Sequence, residues 1–256
     1  MPSNIRVAHY FLENYEYFVK TKKYEKATKT NTHLTDLIEN NIDTTSEDMR
    51  LFGKKIREDK LFVESILIFD AASTLSKKIE NPEEKLKMIQ FCVEGMMWTN
   101  IAMIEEDPDM KVAVKDHVIP LMRGKLHCME RTSSVNEQYK CLRVSSVLHA
   151  IQWSQMLVDQ LKEAEQTLRE ALKRMDEAFG ENKIKHRVYG DLLNNLGCVC
   201  DATPRYEEAA SLYEQAIDAF EAATDYGGDE KRRKRDIEQS GRNLRRVWYA
   251  RKWLVM

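Results

Sequence analysis

Turn-forming residues are scarce in this sequence. It holds nine glycines and five prolines in 256 residues, where average usage gives about 18 and about 13. A β-sandwich, a β-barrel or a nucleotide fold built on glycine loops needs more turn chemistry than that. Long apolar runs are lacking too: a stretch such as Leu61–Phe69 is short and carries Glu64, which argues against a membrane span. No Cys-x-x-Cys pair occurs among Cys92, Cys128, Cys141, Cys198 and Cys200. Cys198 and Cys200 are one residue apart, a poor zinc chelate spacing, and no His–Cys cluster completes four ligands. An odd cysteine count and the lack of an apolar signal core in Met1–Tyr10 give the expectation of reduced thiols in the cytosol or nucleus. Low hydrophobicity is absent as well: 43% hydrophobic against 32% charged residues excludes a disordered chain.

Catalytic constellations are also missing. There is no glycine-rich phosphate loop, no Gly-x-Ser-x-Gly elbow and no His-Glu-x-x-His pair,. The six histidines are scattered singly. His127 and Cys128 are neighbours in sequence, so on a helix their side chains diverge by about 100° and make no dyad. Paired acids such as Glu83-Glu84 and Glu207-Glu208 are explained by a helix's first turn or solvated face,. The run Gly95-Met96-Met97-Trp98 through Met103 reads as core, since methionine fills irregular gaps between helices, with an adaptable binding surface as the alternative,. The expectation is a non-enzyme with no cofactor and no metal.

What is present is helix punctuation. Asn81-Pro82-Glu83-Glu84 reads as an N-cap, a proline at the first helical position and acids in the first turn,. Asp107-Pro108 and Thr203-Pro204 carry the same signal, and Ser134-x-x-Glu137 reads as a capping box,. Gly180 and Gly227-Gly228 read as C-terminal stops. Apolar residues between these marks recur at spacings of three and four. They predict helices over 4–21, 24–40, 46–58, 60–79, 82–105, 108–130, 135–158, 160–179, 185–202, 204–224 and 230–254. Pro120 should kink or break the sixth. No segment alternates with period two, so the fold class is all-α, built from antiparallel helix pairs joined by short connections.

Residues 148–179 and 193–224 align at an offset of 45. Leu148 matches Leu193, Ile151 matches Leu196, Leu161 matches Tyr206 and Ala164 matches Ala209. Leu168 matches Tyr213, Ala171 matches Ala216, Leu172 matches Ile217 and Met175 matches Phe220. Small positions align with small and large with large, which eight times in one register is not chance. Leu193-Asn194-Asn195-Leu196-Gly197 followed by Cys200, Tyr206, Ala209, Tyr213 and Ala216 resembles the tetratricopeptide repeat. The earlier copy, with Leu161-Lys162-Glu163-Ala164-Glu165, Arg169-Glu170-Ala171-Leu172 and Phe179-Gly180-Glu181-Asn182, resembles the long repeats of kinesin light chains. It departs from them at Lys183-Ile184, and at Gln152, where a small residue belongs. A weaker copy runs from Leu12 to Leu37 with Tyr24 and Ala27 in place.

The resemblance implies an α-solenoid, a superhelix with the first helix of each repeat on a concave face. It places Gly197 and Ala209 at the closest approach of one helix pair. It divides the chain into an N-terminal helical region, 1–132, and repeats with a capping helix, 133–256. It implies a peptide-binding groove of Ser146, His149 and Trp153, then Asp191, Asn194, Asn195, Cys198 and Asp201, then Arg242, Asn243, Arg246 and Tyr249. Paired asparagines would hydrogen-bond a peptide backbone, Arg242 and Arg246 would hold an acidic side chain, and Trp153 would anchor an apolar one. Charge supports an acidic partner. Residues 231–256 hold 10 basic and 2 acidic side chains within a chain of 40 basic and 42 acidic ones, so a cationic end follows an acidic body. The expected function is an adaptor or scaffold that grips a peptide or helix of another protein, in the cytoplasm, with no membrane contact. Lys231-Arg232-Arg233-Lys234-Arg235 keeps three other roles open: nuclear import, nucleic-acid or acidic-surface binding, and the polar face of a capping helix. Trp248 and Trp253 would then pack that helix down. An enzyme with an unrecognised helical site is the remaining alternative.

Overall fold

The fold is known from a computed structural model, which describes residues 62–254 and a few positions between 50 and 60. The helices expected over 4–21, 24–40 and most of 46–58, and the copy from Leu12 to Leu37, lie outside the described residues. Every described element is helical: α1 (Phe62–Leu75), α2 (Pro82–Glu106), α3 (Ile119–Glu130), α4 (Glu137–Leu157), α5 (Leu161–Phe179), α6 (Arg187–Ala202), α7 (Tyr206–Ala222) and α8 (Glu230–Leu254). No described helix is long and apolar enough to cross a membrane.

Helices α2, α4, α6 and α8 lie side by side as one layer, and α3, α5 and α7 pack behind them. The apolar core is continuous through the connection after residue 132: Leu86, Met122 and Met129 belong to the same cluster as Val144, Leu148, Leu196 and Val247. Met96, Met97 and Met103 are buried in it, while Trp98 stands out at 56% exposed.

Local chemistry sets the boundaries. The Asn81 side chain accepts from Glu83 N and Glu84 N, as its Asn-Pro context requires,. Asp107 caps the short 3-10 turn Pro108–Met110 in the same way. Two caps differ from the sequence reading. Asn136, not Ser134, is the N-cap of α4 and accepts from Tyr139 N at 3.0 Å. Thr203 closes α6, and α7 starts from Arg205 with no side-chain cap. Gly180 ends α5 at φ 53°, while Gly227 and Gly228 turn the chain into α8 after α7 has closed at Ala223. Pro120 breaks nothing. The rod widens into a π-helix at Val114–Val118 just before it and then continues as α3. A proline has no N–H to give residue 116 and its ring needs space there, and a wider turn meets both demands.

Close helix packing rests on glycine. A Cβ on Gly197 would lie 2.7 Å from the Tyr213 ring, and one on Gly190 2.6 Å from the Phe220 ring. The two contacts are two turns apart on α6 and on α7, so they fix the antiparallel register. The group over Gly197 is the Tyr213 ring, and Ala209, one turn before Tyr213 on α7, is fully buried.

Candidate functional site

The outward stripe of the α2–α4–α6–α8 layer carries the residues that sequence singled out, and the layer sorts them into two kinds. The amides turn inward. Asn195 is buried and donates to Gln152 Oε1 at 3.0 Å, joining α6 to α4. Asn194 Oδ1 accepts from Ser240 Oγ at 3.0 Å and from Asn243 Nδ2 at 3.1 Å, joining α6 to α8. Asn243 Nδ2 also reaches the Cys198 sulfur at 3.8 Å, and burial pushes the Cys198 thiol pKa up. Asn100 and Ser154 make the corresponding link from α2 to α4 at 3.0 Å. Each of these junctions thus has a buried or partly buried polar bond, which satisfies groups that would otherwise cost stability,. The asparagines expected to meet a peptide backbone are spent on neighbouring helices. Gln152, out of place in the repeat signature, is the acceptor that Asn195 needs.

Arg246 is committed too. Its guanidinium pairs with Asp201 through Nε at 3.0 Å and through Nη2, so the carboxylate it was expected to hold is one from its own chain. Arg242 donates to Gln239 Oε1 at 2.7 Å, its one side-chain bond among the described residues. Tyr249 is 68% exposed near the end of α8. Ser146 is half-buried and donates to Leu142 O.

The rest of the stripe is aromatic and charged. Trp153 is 36% exposed on α4, one turn beyond His149. Burial, with Arg187 adding, lowers the His149 pKa to about 4, so the imidazole is neutral at pH 7. Asp191 pairs with Arg187 at 2.5 Å. Burial nevertheless raises its pKa to about 6, against the pull of Arg187 and helped by Asp236,. Glu94 on α2, one turn before Trp98, is also raised by burial, opposed by a hydrogen bond from Gln90 and by Arg187, Arg143 and Arg232. Charges from four successive helices therefore act on one another across this face.

Glu94, Arg143, Arg187 and Asp236 were missed from sequence, while Trp98 and Arg232 were read there in other roles. The signal was there for half of them: at the offset of 45, Arg187 matches Arg232 and Asp191 matches Asp236. The basic run 231–235 also divides. Arg232 acts on Glu94 and Asp191, Arg233 donates to Ala223 O and lies over the Tyr226 ring at 5.1 Å, and Lys234 pairs with Glu238. Val247, Ser240 and Asn243 hold α8 down, while Trp248 is 52% exposed. The Trp253 side chain lies outside the described residues. The five cysteines are free thiols.

Stacked antiparallel pairs with a repeat of 45 and small residues at the crossings define a helical-repeat solenoid. Residues 154–222, from within α4 to the end of α7, match the tetratricopeptide repeat family, and the chain carries tetratricopeptide repeats there. No curated protein matches the chain. Tetratricopeptide repeats in general mediate protein–protein interaction, so this segment is a protein-interaction module.

Proposed function

We propose that the chain is a non-catalytic adaptor or scaffold that grips a peptide or helical segment of another protein on the outward face of α2, α4, α6 and α8. The observation that carries this reading is Trp153, 36% exposed between buried neighbours on α4. A large aromatic fixed on a rigid helix gives contact area at small entropic cost. An apolar ligand residue would sit at Trp153 and Trp98. Acidic ligand residues would meet Arg232 and Arg242, which have no ion-pair partner among the described residues. The free thiols fit a reducing compartment such as the cytoplasm,. Division of the 231–235 run between the groove, the α7 end and solvent favours a protein ligand over a nucleic-acid backbone, which wants a continuous cationic track.

Peptide selection on the purified chain tests this. Selected peptides should lose at least tenfold in affinity for Trp153→Ala/Arg232→Glu and none for Lys162→Ala on α5. Their affinity should fall only mildly with salt, because the apolar contact dominates. Unchanged binding by the double variant at full helical content would place the ligand elsewhere.

A further inference from the structure

A second concavity lies away from this face. It is enclosed by the end of α1 and its 3-10 turn, the first two turns of α2, the end of α3 and the turn at 131–134, and it measures about 770 Å³. Its α2 wall is Pro82, Lys85 and Ile89. Glu94 and Trp98 belong to the stripe that runs through residues 87 and 91, roughly 200° around the same helix. The two sites are therefore on opposite sides of α2.

The lining has the wrong sign for its surroundings. The chain outside 231–256 holds an excess of acids, yet this wall brings together Lys77, Lys85, Lys125, His127 and Arg131 against one acid, Glu80. Lys125 is largely neutralised: it pairs with the buried Asp70 at 2.5 Å and donates to Thr74 Oγ1 at 3.1 Å. The side chains of Lys77, Lys85 and Arg131 have no ion pair or hydrogen bond among the described residues. Several cations elsewhere are answered: Arg174 by Glu130 and Glu170, Arg205 by Glu165 and Glu208, Arg246 by Asp201. Three unanswered cations around one cavity repel one another unless an anion joins them.

The remaining chemistry narrows that anion. Ser133 and Ser134 add hydroxyl donors at the rim, whereas Ser73 and Thr132 have already given theirs to Asp70 O and Cys128 O. The floor is apolar, from Ile79, Pro82 and Ile89. Cations and hydroxyls together suit a group with three acceptor oxygens and close to two charges, which is a phosphate monoester. The apolar floor suits a carbon body attached to it. The volume falls within the roughly 300–1,000 Å³ of small-ligand pockets. We propose that this cavity binds a phosphate monoester carried on an apolar body.

Calorimetric titration of the full chain with phenyl phosphate tests it, beside inorganic phosphate and phenol. Phenyl phosphate should bind one to one and at least tenfold more tightly than either half alone. Lys77→Glu/Arg131→Glu should weaken it tenfold or more, and Lys162→Glu should leave it unchanged. Circular dichroism checks that the variants fold, and the milder Lys85→Gln should give a smaller loss in the same direction. Absence of saturable binding overturns the proposal. So does binding that the double variant retains, or binding no tighter than that of inorganic phosphate. A phosphotyrosine peptide and free phosphotyrosine, added as further arms, separate a protein-borne source from a free one: a tighter peptide supports the first and equal affinity the second. Trp153→Ala/Arg232→Glu should not change any of these titrations.

Discussion

The hairpins α4–α5 and α6–α7 are two copies of one repeat, and they fill the same space differently. In α6–α7 the crossing pairs a glycine with an aromatic ring: Gly197 under Tyr213 and Gly190 under Phe220. At the equivalent positions α4–α5 has Gln152 with Leu168 and Ser145 with Met175, all buried. Where the small residue grows, its opposite number shrinks. The repeat therefore conserves the volume at a crossing rather than the residues that make it, as close packing demands. The larger polar residue is also put to use, since Gln152 becomes the acceptor for Asn195 across the α4–α6 junction.

The strongest way to break this comparison is to enlarge the small member. Gly197→Leu would drive a side chain into the buried Tyr213 ring and should cost about 3 kcal/mol, lowering Tm by roughly 6–12 °C. Tyr213→Leu in the same chain should restore part of that, because it recreates the α4–α5 solution. Gly124 on α3 is the control: nothing lies within 4 Å of a Cβ there, so Gly124→Ala should raise stability by about 1 kcal/mol through helix propensity alone. Equal losses at both glycines would refute the packing account.

A smaller effect tests the polar half. Gln152→Leu leaves the buried Asn195 Nδ2 without its acceptor and should cost about 1–3 kcal/mol. Gln152→Leu/Asn195→Leu removes both partners and should recover the greater part. Thermal melts of the wild type, the two single variants and the double variant measure the coupling. Additive losses would mean that the hydrogen bond contributes nothing.

Helix period and the repeat were readable in the sequence because both rest on where apolar residues fall, and burial enforces those positions. The family match over 154–222 lies inside the stretch aligned at 45. The residues of the candidate face were legible in part. Trp153 and His149 are on the outward stripe, but Asn194, Asn195 and Asn243 look identical in sequence whether they face a ligand or a neighbouring helix. Only the position of Gln152 and Ser240 decides that, and both are far away along the chain. The pairs Arg187/Asp191 and Arg232/Asp236 were legible at the same offset, but an alignment read for apolar matches passes over charges. Pro120 shows a different limit. Its missing N–H demands an adjustment, and the neighbouring packing determines whether that is a kink, a break or a π turn.

The smallest predicted effect concerns two groups, on α4 and α6, that pull stability in opposite directions as pH changes. His149 binds its proton less readily when folded, with a pKa lowered from 6.5 to about 4. Its contribution is fully present above 6.5 and is lost as pH falls toward 4. Asp191 binds its proton more readily when folded, raised from 3.8 to about 6. Its contribution grows as pH falls from 6 toward 3.8, because the neutral carboxyl is easier to bury. Arg187 faces both groups, and Asp236, Arg232 and Asp225 also act on Asp191. In the wild type the two terms offset one another between about pH 4 and 6. His149→Gln removes the first, so relative to wild type its Tm should rise by a few degrees between pH 7 and pH 5. Asp191→Asn removes the second, so its Tm should fall by a similar amount over the same interval. Melts at four pH values for the three proteins make the comparison, with differences from wild type cancelling the contributions of every other group. Parallel curves for all three would mean that neither burial nor Arg187 moves these protons.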